Sequence, residues 1–284
     1  MNRQKNVSTF IGFDNEFENS SLVLFGAPFD GTTSFRPGTR FAPEIIRKES
    51  YGLESYSPYL EMDLDEFELF DQGDLEFPFG NPKKVIDIIY ENTRDILKND
   101  KTPFMIGGEH LVTLGTIKAM AEKYKDLRLI HLDAHTDLRE DYLGEKLSHA
   151  TVIKRVWDII GDNKIYQFGI RSGTKEEFDW SKEHTTMEKF SCDTFSSIKE
   201  ELLNFPVYIT IDLDVLDPSI FSGTGTIEPG GISFKELISF IEEVSELNIV
   251  GADVVELSPH YDQSGMSTAV ACKVIRELSL AILK

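Results

Sequence analysis

The hexapeptide Leu132–Asp137, LDAHTD, constrains this chain more than any other stretch. It closes an apolar run, and an extended backbone points alternate side chains the same way, so Asp133, His135 and Asp137 face one spot. Asp212 and Asp214, in TIDLDVLDPS, repeat the arrangement directly after a second apolar run, Val207 to Ile211. His110, in MIGGEH, ends a third. Taken singly, each is an ordinary capping residue, and His110 could simply start a helix at Leu111. Three polar clusters that all fall at strand exits point instead to one cleft. There, four carboxylates and two imidazoles suffice to hold two divalent ions.

The frame around these clusters alternates strands with helices. Strands are predicted at 21–26, 103–106, 127–133, 164–169, 207–212 and 248–255, and helices from Pro43, then at 82–99, 111–125, 149–160, 233–246 and 266–283. Nearly unbroken apolar strands separated by amphipathic helices imply an α/β, three-layer α/β/α domain whose central sheet is mostly parallel. Ligands in such folds bind outside the carboxyl ends of the strands, where Glu109, His110, Asp133, Asp212 and Glu256 all fall. No Pro/Gly/Ser-rich linker divides the 284 residues, so one domain is expected, with residues 1–20 as an N-terminal extension. The acidic segment 61–77 is expected to hold a strand around Phe67–Asp71, with its charges in solvent.

Composition narrows the partners. A formal charge of −20 disfavours nucleic acid and suits cationic small molecules. The N-terminus lacks a signal-peptide core and no apolar stretch is long enough to span a bilayer, so the expected location is the cytoplasm, without membrane association. Cys192 and Cys272 stand apart from the Asp/His clusters and read as free thiols.

Hard oxygen ligands with a minority of imidazole suit manganese better than zinc. Two ions sharing Asp133 and Asp212 would lie about 3.5–4 Å apart and lower the pKa of a water between them from 15.7 toward about 7. The chemistry implied is hydrolysis of an electrophilic carbon.

At this point the motifs GGEH (107–110), DAHTD (133–137), SHAT (148–151), DLDVLDPS (212–219), GTGTIEPGG (223–231) and DVVELSP (253–259) coincide in order with a known family. The chain resembles the ureohydrolases, the arginase/agmatinase family, and among them the agmatinases; PGTRFAPEIIR at 37–47 extends the match toward the N-terminus. The resemblance implies an arginase-like fold and two Mn2+ per chain, one held by His110, Asp133, Asp137 and Asp212, the other by Asp133, His135, Asp212 and Asp214. It implies that Glu256 pairs with a substrate guanidinium, that Asp137 relays a proton to the leaving amine, and that His149 exchanges protons with solvent. It also implies homotrimers or homohexamers.

Substrate choice rests on the stretch 138–148, LREDYLGEKLS. Glu140, Asp141 and Glu145 would repel a free carboxylate and welcome a terminal ammonium, which favours agmatine, with Asp141 and Glu145 as substrate-binding residues. Arg139 and Lys146 in the same stretch leave open a carboxylate-bearing substrate such as guanidinobutyrate or formiminoglutamate, and arginine is a further alternative. A metal-dependent hydrolase of a different bond, or a non-catalytic protein on the same fold, are the readings from other classes. His131 is expected to be buried and hydrogen-bonded, and His260 to lie on a surface loop.

Overall fold

The computed structural model describes residues 8–284. In chain order the strands are β1 (Leu22–Ala27), β2 (Tyr56–Ser57), β3 (Met62–Asp63), β4 (Leu69–Asp74), β5 (Thr102–Gly107), β6 (Arg128–Leu132), β7 (Ile165–Ile170), β8 (Thr186–Lys189), β9 (Pro206–Asp212) and β10 (Asn248–Val255). The helices are α1 (Ala42–Ser50), α2 (Pro82–Lys98), α3 (Thr113–Lys123), α4 (Val152–Ile160), α5 (Lys175–His184), α6 (Phe195–Leu202), α7 (Phe234–Val244) and α8 (Met266–Leu283). Eight strands form one sheet in the order β4-β1-β5-β10-β9-β6-β7-β8, every pairing parallel, while β2 and β3 make a small antiparallel hairpin.

Parallel strands need crossover connections, and here the helices cover both faces. One core packs residues of α1, α6, α7 and α8, such as Ile46, Phe195, Ile241 and Ile275, against Leu24, Phe104 and Ile209 of the sheet. The other packs α2, α3 and α4, through Ile89, Met120 and Val156, against Val23, Met105 and Leu129. Buried strands with buried flanks explain why β1 and β9 read as continuous apolar runs. Asn81 caps α2 by accepting the Lys84 N–H at 3.0 Å, with Pro82 in the first turn where its missing N–H costs nothing.

No apolar run or amphipathic period predicts an element between 170 and 206, yet the chain there forms α5, β8 and α6. Strand β8, TMEK, lies at the sheet edge with no fully buried residue, so no apolar run marks it. Thr174 and Glu177 form a capping box at the start of α5, a signal that could have located it. Of the span expected to be an N-terminal extension, residues 1–7 lie outside the described residues, while Phe10, Phe13 and Phe17 are buried in the two cores.

The charges of 61–77 are not all in solvent. Asp71 is completely buried on β4, where Arg47 Nε and Nη2 meet its two oxygens at 2.7 and 3.0 Å, and the backbone N–H groups of Phe10 and Gly73 add bonds of 2.9 Å each. Arg47 also pairs with Asp74. A carboxylate saturated this way tolerates burial, and it ties α1 and the N-terminal segment to the sheet edge.

Removing one partner of such a buried pair costs about 3–5 kcal/mol, against about 0.5 kcal/mol or less for an exposed i,i+4 pair. Arg47→Met is therefore expected to lower the unfolding free energy in urea by about 3–5 kcal/mol. Lys83→Ala, which breaks the exposed Lys83–Asp87 pair, should shift it by less than about 0.5 kcal/mol.

Candidate functional site

Four neighbouring strands in the middle of the sheet deliver the site. Strand β5 leads into Glu109 and His110, β10 into Glu256, β9 ends at Asp212 just before Asp214, and β6 leads into Asp133, His135 and Asp137. His110 Nδ1 stands 3.1 Å from Asp133, 3.2 Å from Asp137 and 3.4 Å from Asp212. His135 Nδ1 stands 3.1 Å from Asp214 and 3.4 Å from Asp133. All six residues named as candidate ligands are thus gathered at one place.

The four aspartates are buried, and among the described residues no Lys or Arg pairs with any of them. Burial, then Asp214 and Asp133, push the Asp212 carboxyl well above its usual range. Burial and Asp133 also raise Asp137. Burial opposes charge on His110 and His135, but the facing carboxylates outweigh it and hold both imidazoles well above their ordinary pKa. A cluster that draws in protons in this way is short of positive charge, which a divalent cation supplies. The donor set fits: His110, His131, Asp133 and Asp137 offer atoms within 4.8 Å of one another, and so do Asp133, His135 and Asp214, with Asp133 common to both groups.

Two of these residues hold unusual backbone. Asp137 (φ 51°) and Glu256 (φ 65°) both adopt the left-handed conformation, which costs a non-glycine residue about 1–3 kcal/mol and persists only where surrounding structure enforces it. The Glu256 N–H donates to the Gly108 carbonyl at 2.9 Å, and the Asp137 carbonyl accepts from Ile153 and Lys154 at the start of α4. Gly108 permits this packing, since a Cβ there would lie 1.9 Å from the Phe29 carbonyl oxygen.

Beside the cluster, Glu256 Oε1 accepts the His110 N–H at 2.8 Å and faces His149 Nδ1 at 3.4 Å. His149 Nε2 lies 3.0 Å from the Ser34 N–H and 2.9 Å from Ser34 Oγ, so in the neutral ring Nε2 accepts and Nδ1 carries a hydrogen toward Glu256, while the imidazolium donates from Nε2 to Ser34 Oγ. Burial works against the imidazolium, yet the Glu256 bond and the charges of Glu256, Asp137 and Glu109 lift His149 to about 9. Glu109, expected at the ligand-binding end of the sheet but given no role by the sequence, is wholly buried, and burial pushes it up to about 8 against the bonds it accepts from Thr32 N–H (2.8 Å) and Thr32 Oγ1. Thr32 Oγ1 in turn accepts the His149 N–H at 3.2 Å, so Glu109 ties the loop after β1 to the site.

Ser34 and His149, with His135, Asp137 and Asp212 of the cluster, line a cavity of ≈ 260 Å³ whose walls also include Arg139, Tyr142 and Glu177. Asp141 and Glu145 do not line it. Asp141 is exposed and its Oδ1 caps a turn by accepting the Gly144 N–H at 2.9 Å; Glu145 borders an adjoining groove of ≈ 630 Å³ that shares Ser34 and Tyr142 with the cavity. The loop turns back through reciprocal Tyr142–Glu145 backbone bonds, which sequence spacing alone does not reveal. Lys146 is exposed and pairs with Glu140, whereas Arg139 lines the cavity near Glu177. His260 is exposed against Phe41, and the free thiols Cys192 and Cys272, both pushed by burial up to about 12, lie outside the cavity. Among the described residues no helix is long and apolar enough to cross a membrane.

Residues 20–281 match the family model described as the arginase family. The chain belongs to the arginase family. Its relatives in that family include the agmatinase of Bacillus cereus, 50% identical over 280 residues that cover 97% of this chain and 96% of the relative. A crystal structure from Clostridium difficile superposes with a TM-score of 0.92 at 56% identity, covering 94% of this chain and 98% of that one. The agmatine ureohydrolase of Thermoplasma volcanium superposes with a TM-score of 0.88 at 32% identity, covering 98% and 95%. The arginase-like α/β/α fold with a parallel sheet is thus the family's own.

Because the folded His149 titrates near 9 and the unfolded imidazole near 6.5, charge on His149 stabilises the metal-free protein fully below pH of about 6.5. That contribution is lost as pH rises through about 9. The stability difference between the metal-free parent and His149→Gln, followed by thermal unfolding across pH, should therefore be largest at low pH and shrink to a pH-independent remainder above about 9.

Proposed function

We propose that this chain hydrolyses the guanidinium group of agmatine to urea and putrescine, with two manganese ions held by His110, Asp133, His135, Asp137, Asp212 and Asp214. The observation that carries the reading is the gathering of these six side chains beside Glu256, next to a cavity that His135, Asp137 and Asp212 of the cluster line. The likeness to an agmatinase at 50% identity supports agmatine over other guanidino compounds.

Bound divalent ions would lower the pKa of a shared water to about 7 and so make a nucleophile available at neutral pH. The chain's own residues do the rest. The Glu256 carboxylate is the partner for the guanidinium: His110 N–H and His149 engage Oε1, which leaves Oε2 to accept a guanidinium N–H and orient the carbon toward the cluster. Asp137 Oδ2, 3.2 Å from His110 Nδ1, receives the proton released by the attacking water and passes it to the nitrogen of the departing amine. His149 holds a proton at Nδ1 facing Glu256 and exchanges it between the cavity and solvent. Glu145, on the adjoining groove, is retained as the partner for the ammonium end, while Asp141, engaged in its turn and outside the cavity lining, is assigned no substrate contact.

The test is urea release from agmatine, arginine and guanidinobutyrate, and formamide release from formiminoglutamate, by the manganese-loaded protein. Agmatine is expected to be preferred, with turnover abolished in Asp133→Ala and kcat/KM reduced on the order of 10²-fold in Glu256→Gln, equivalent to about 2–3 kcal/mol for a lost charged hydrogen bond. Preference for a carboxylate-bearing substrate would overturn the substrate assignment, and no turnover of any of the four would point to a different bond. Within the loop, Glu145→Lys should raise KM for agmatine more than it lowers kcat, whereas Asp141→Asn should leave both near the parent values.

A further inference from the structure

Asp133, common to both groups of candidate ligands, offers two oxygens with two lone pairs each. Its Oδ1 accepts the His135 backbone N–H at 2.5 Å, and its Oδ2 lies 2.8 Å from His131 Nε2. His131 is wholly buried and within ligand reach of the same cluster, yet the proposed reaction gives it no part.

The hydrogen on His131 is fixed by its neighbours. Gln167 Nε2 lies 3.0 Å from the Thr136 carbonyl oxygen and 3.0 Å from His131 Nδ1. A carbonyl oxygen only accepts, so the amide nitrogen of Gln167 must face Thr136, and the same NH2 group donates to His131 Nδ1. Thr185 Oγ1, which donates to Gln167 Oε1 at 3.1 Å, holds the amide the same way round. Nδ1 is then an acceptor and the ring hydrogen sits on Nε2, aimed at Asp133 Oδ2. A nitrogen that carries a hydrogen cannot ligate a metal, and the other nitrogen is taken by Gln167.

His110 Nδ1 also stands 3.1 Å from Oδ2, but His110 Nε2 lies 2.9 Å from Thr210 Oγ1, whose own hydrogen goes to Asp253, so the neutral His110 ring carries its hydrogen on Nε2 and its Nδ1 can ligate rather than donate. The His135 backbone N–H and His131 Nε2–H then leave each oxygen of Asp133 one lone pair. That is the requirement for a carboxylate shared between two cations, one oxygen for each. Asp212 differs: its Oδ1 accepts the Asp214 N–H at 2.9 Å, and Oδ2 faces His110 at 3.4 Å.

We propose that His131 is a positioning residue, locked by Gln167 as the Nε2–H tautomer, that orients Asp133 for two cations without binding one itself. The proposal rests on the two-ion reading of the site. It is tested by calorimetric titration of the metal-free protein with manganese chloride, comparing the parent with His131→Phe, His131→Gln and Gln167→Leu, alongside thermal unfolding of each metal-free protein.

His131→Phe removes the donor and should weaken manganese binding by about 10- to 100-fold while the same number of ions per chain still binds at saturation. In His131→Gln the amide nitrogen reaches the place of Nε2, so affinity should stay close to the parent's. Gln167→Leu frees the tautomer and should fall between the two. A purely structural role would lower the melting temperature of the metal-free variants without this ordering of affinities. If His131→Phe fails to fold, the order of parent, His131→Gln and Gln167→Leu carries the test. Unchanged affinity in Gln167→Leu, or the loss of one whole ion per chain in His131→Phe, would overturn the proposal. A parent protein that binds no manganese would overturn the two-ion reading itself, and the positioning role with it.

Discussion

The structure depends on uncompensated negative charge held away from water. Asp133, Asp137, Asp212 and Asp214 are buried within reach of one another, and among the described residues imidazoles alone pair with their carboxylates. Such a group is stable on its own only by taking up protons, and divalent cations satisfy it better than any single side chain can. The buried Arg47–Asp71 pair shows the alternative in the same molecule, a carboxylate neutralised within the chain and therefore closed to ligands.

Holding that charge in place requires rigid support. The parallel sheet supplies it by ending four adjacent strands at one level, and the loops behind them are fastened by backbone bonds such as Glu256 N–H to Gly108 and Glu109 N–H to Phe29. Left-handed backbone at Asp137 and Glu256 sets their side chains against His110 at a conformational cost that the packing of α4 and the GGEH segment sustains. Thr32, Ser34 and Glu109 extend the same fastening to His149, so the loop after β1 is part of the site although it carries no ligand.

Legibility followed the range of the interactions involved. Strands β1, β5, β6, β9 and β10 and their following polar residues could be read because burial on both faces leaves an apolar run, and the run's end marks the strand's end. The edge strand β8 left no such trace. Asp71 looked like its exposed acidic neighbours because its partner, Arg47, is brought to it only by the packing of α1 on the sheet. Asp141 and Glu145 shared a charge and a loop, yet a turn only a few residues long sends them to different surroundings.

By itself the sequence determined the alternation of strands and helices, the family motifs, and the residue types able to bind metal, since these are set by period, burial and side-chain chemistry within single segments. The tertiary structure decided which of those residues meet. It placed β10 and β9 between β5 and β6, joined Glu109 to Thr32 and His149, turned Asp141 away from the cavity, and set His131 between Gln167 and Asp133. Such contacts join positions brought together by strand order and loop path, which local periodicity does not encode.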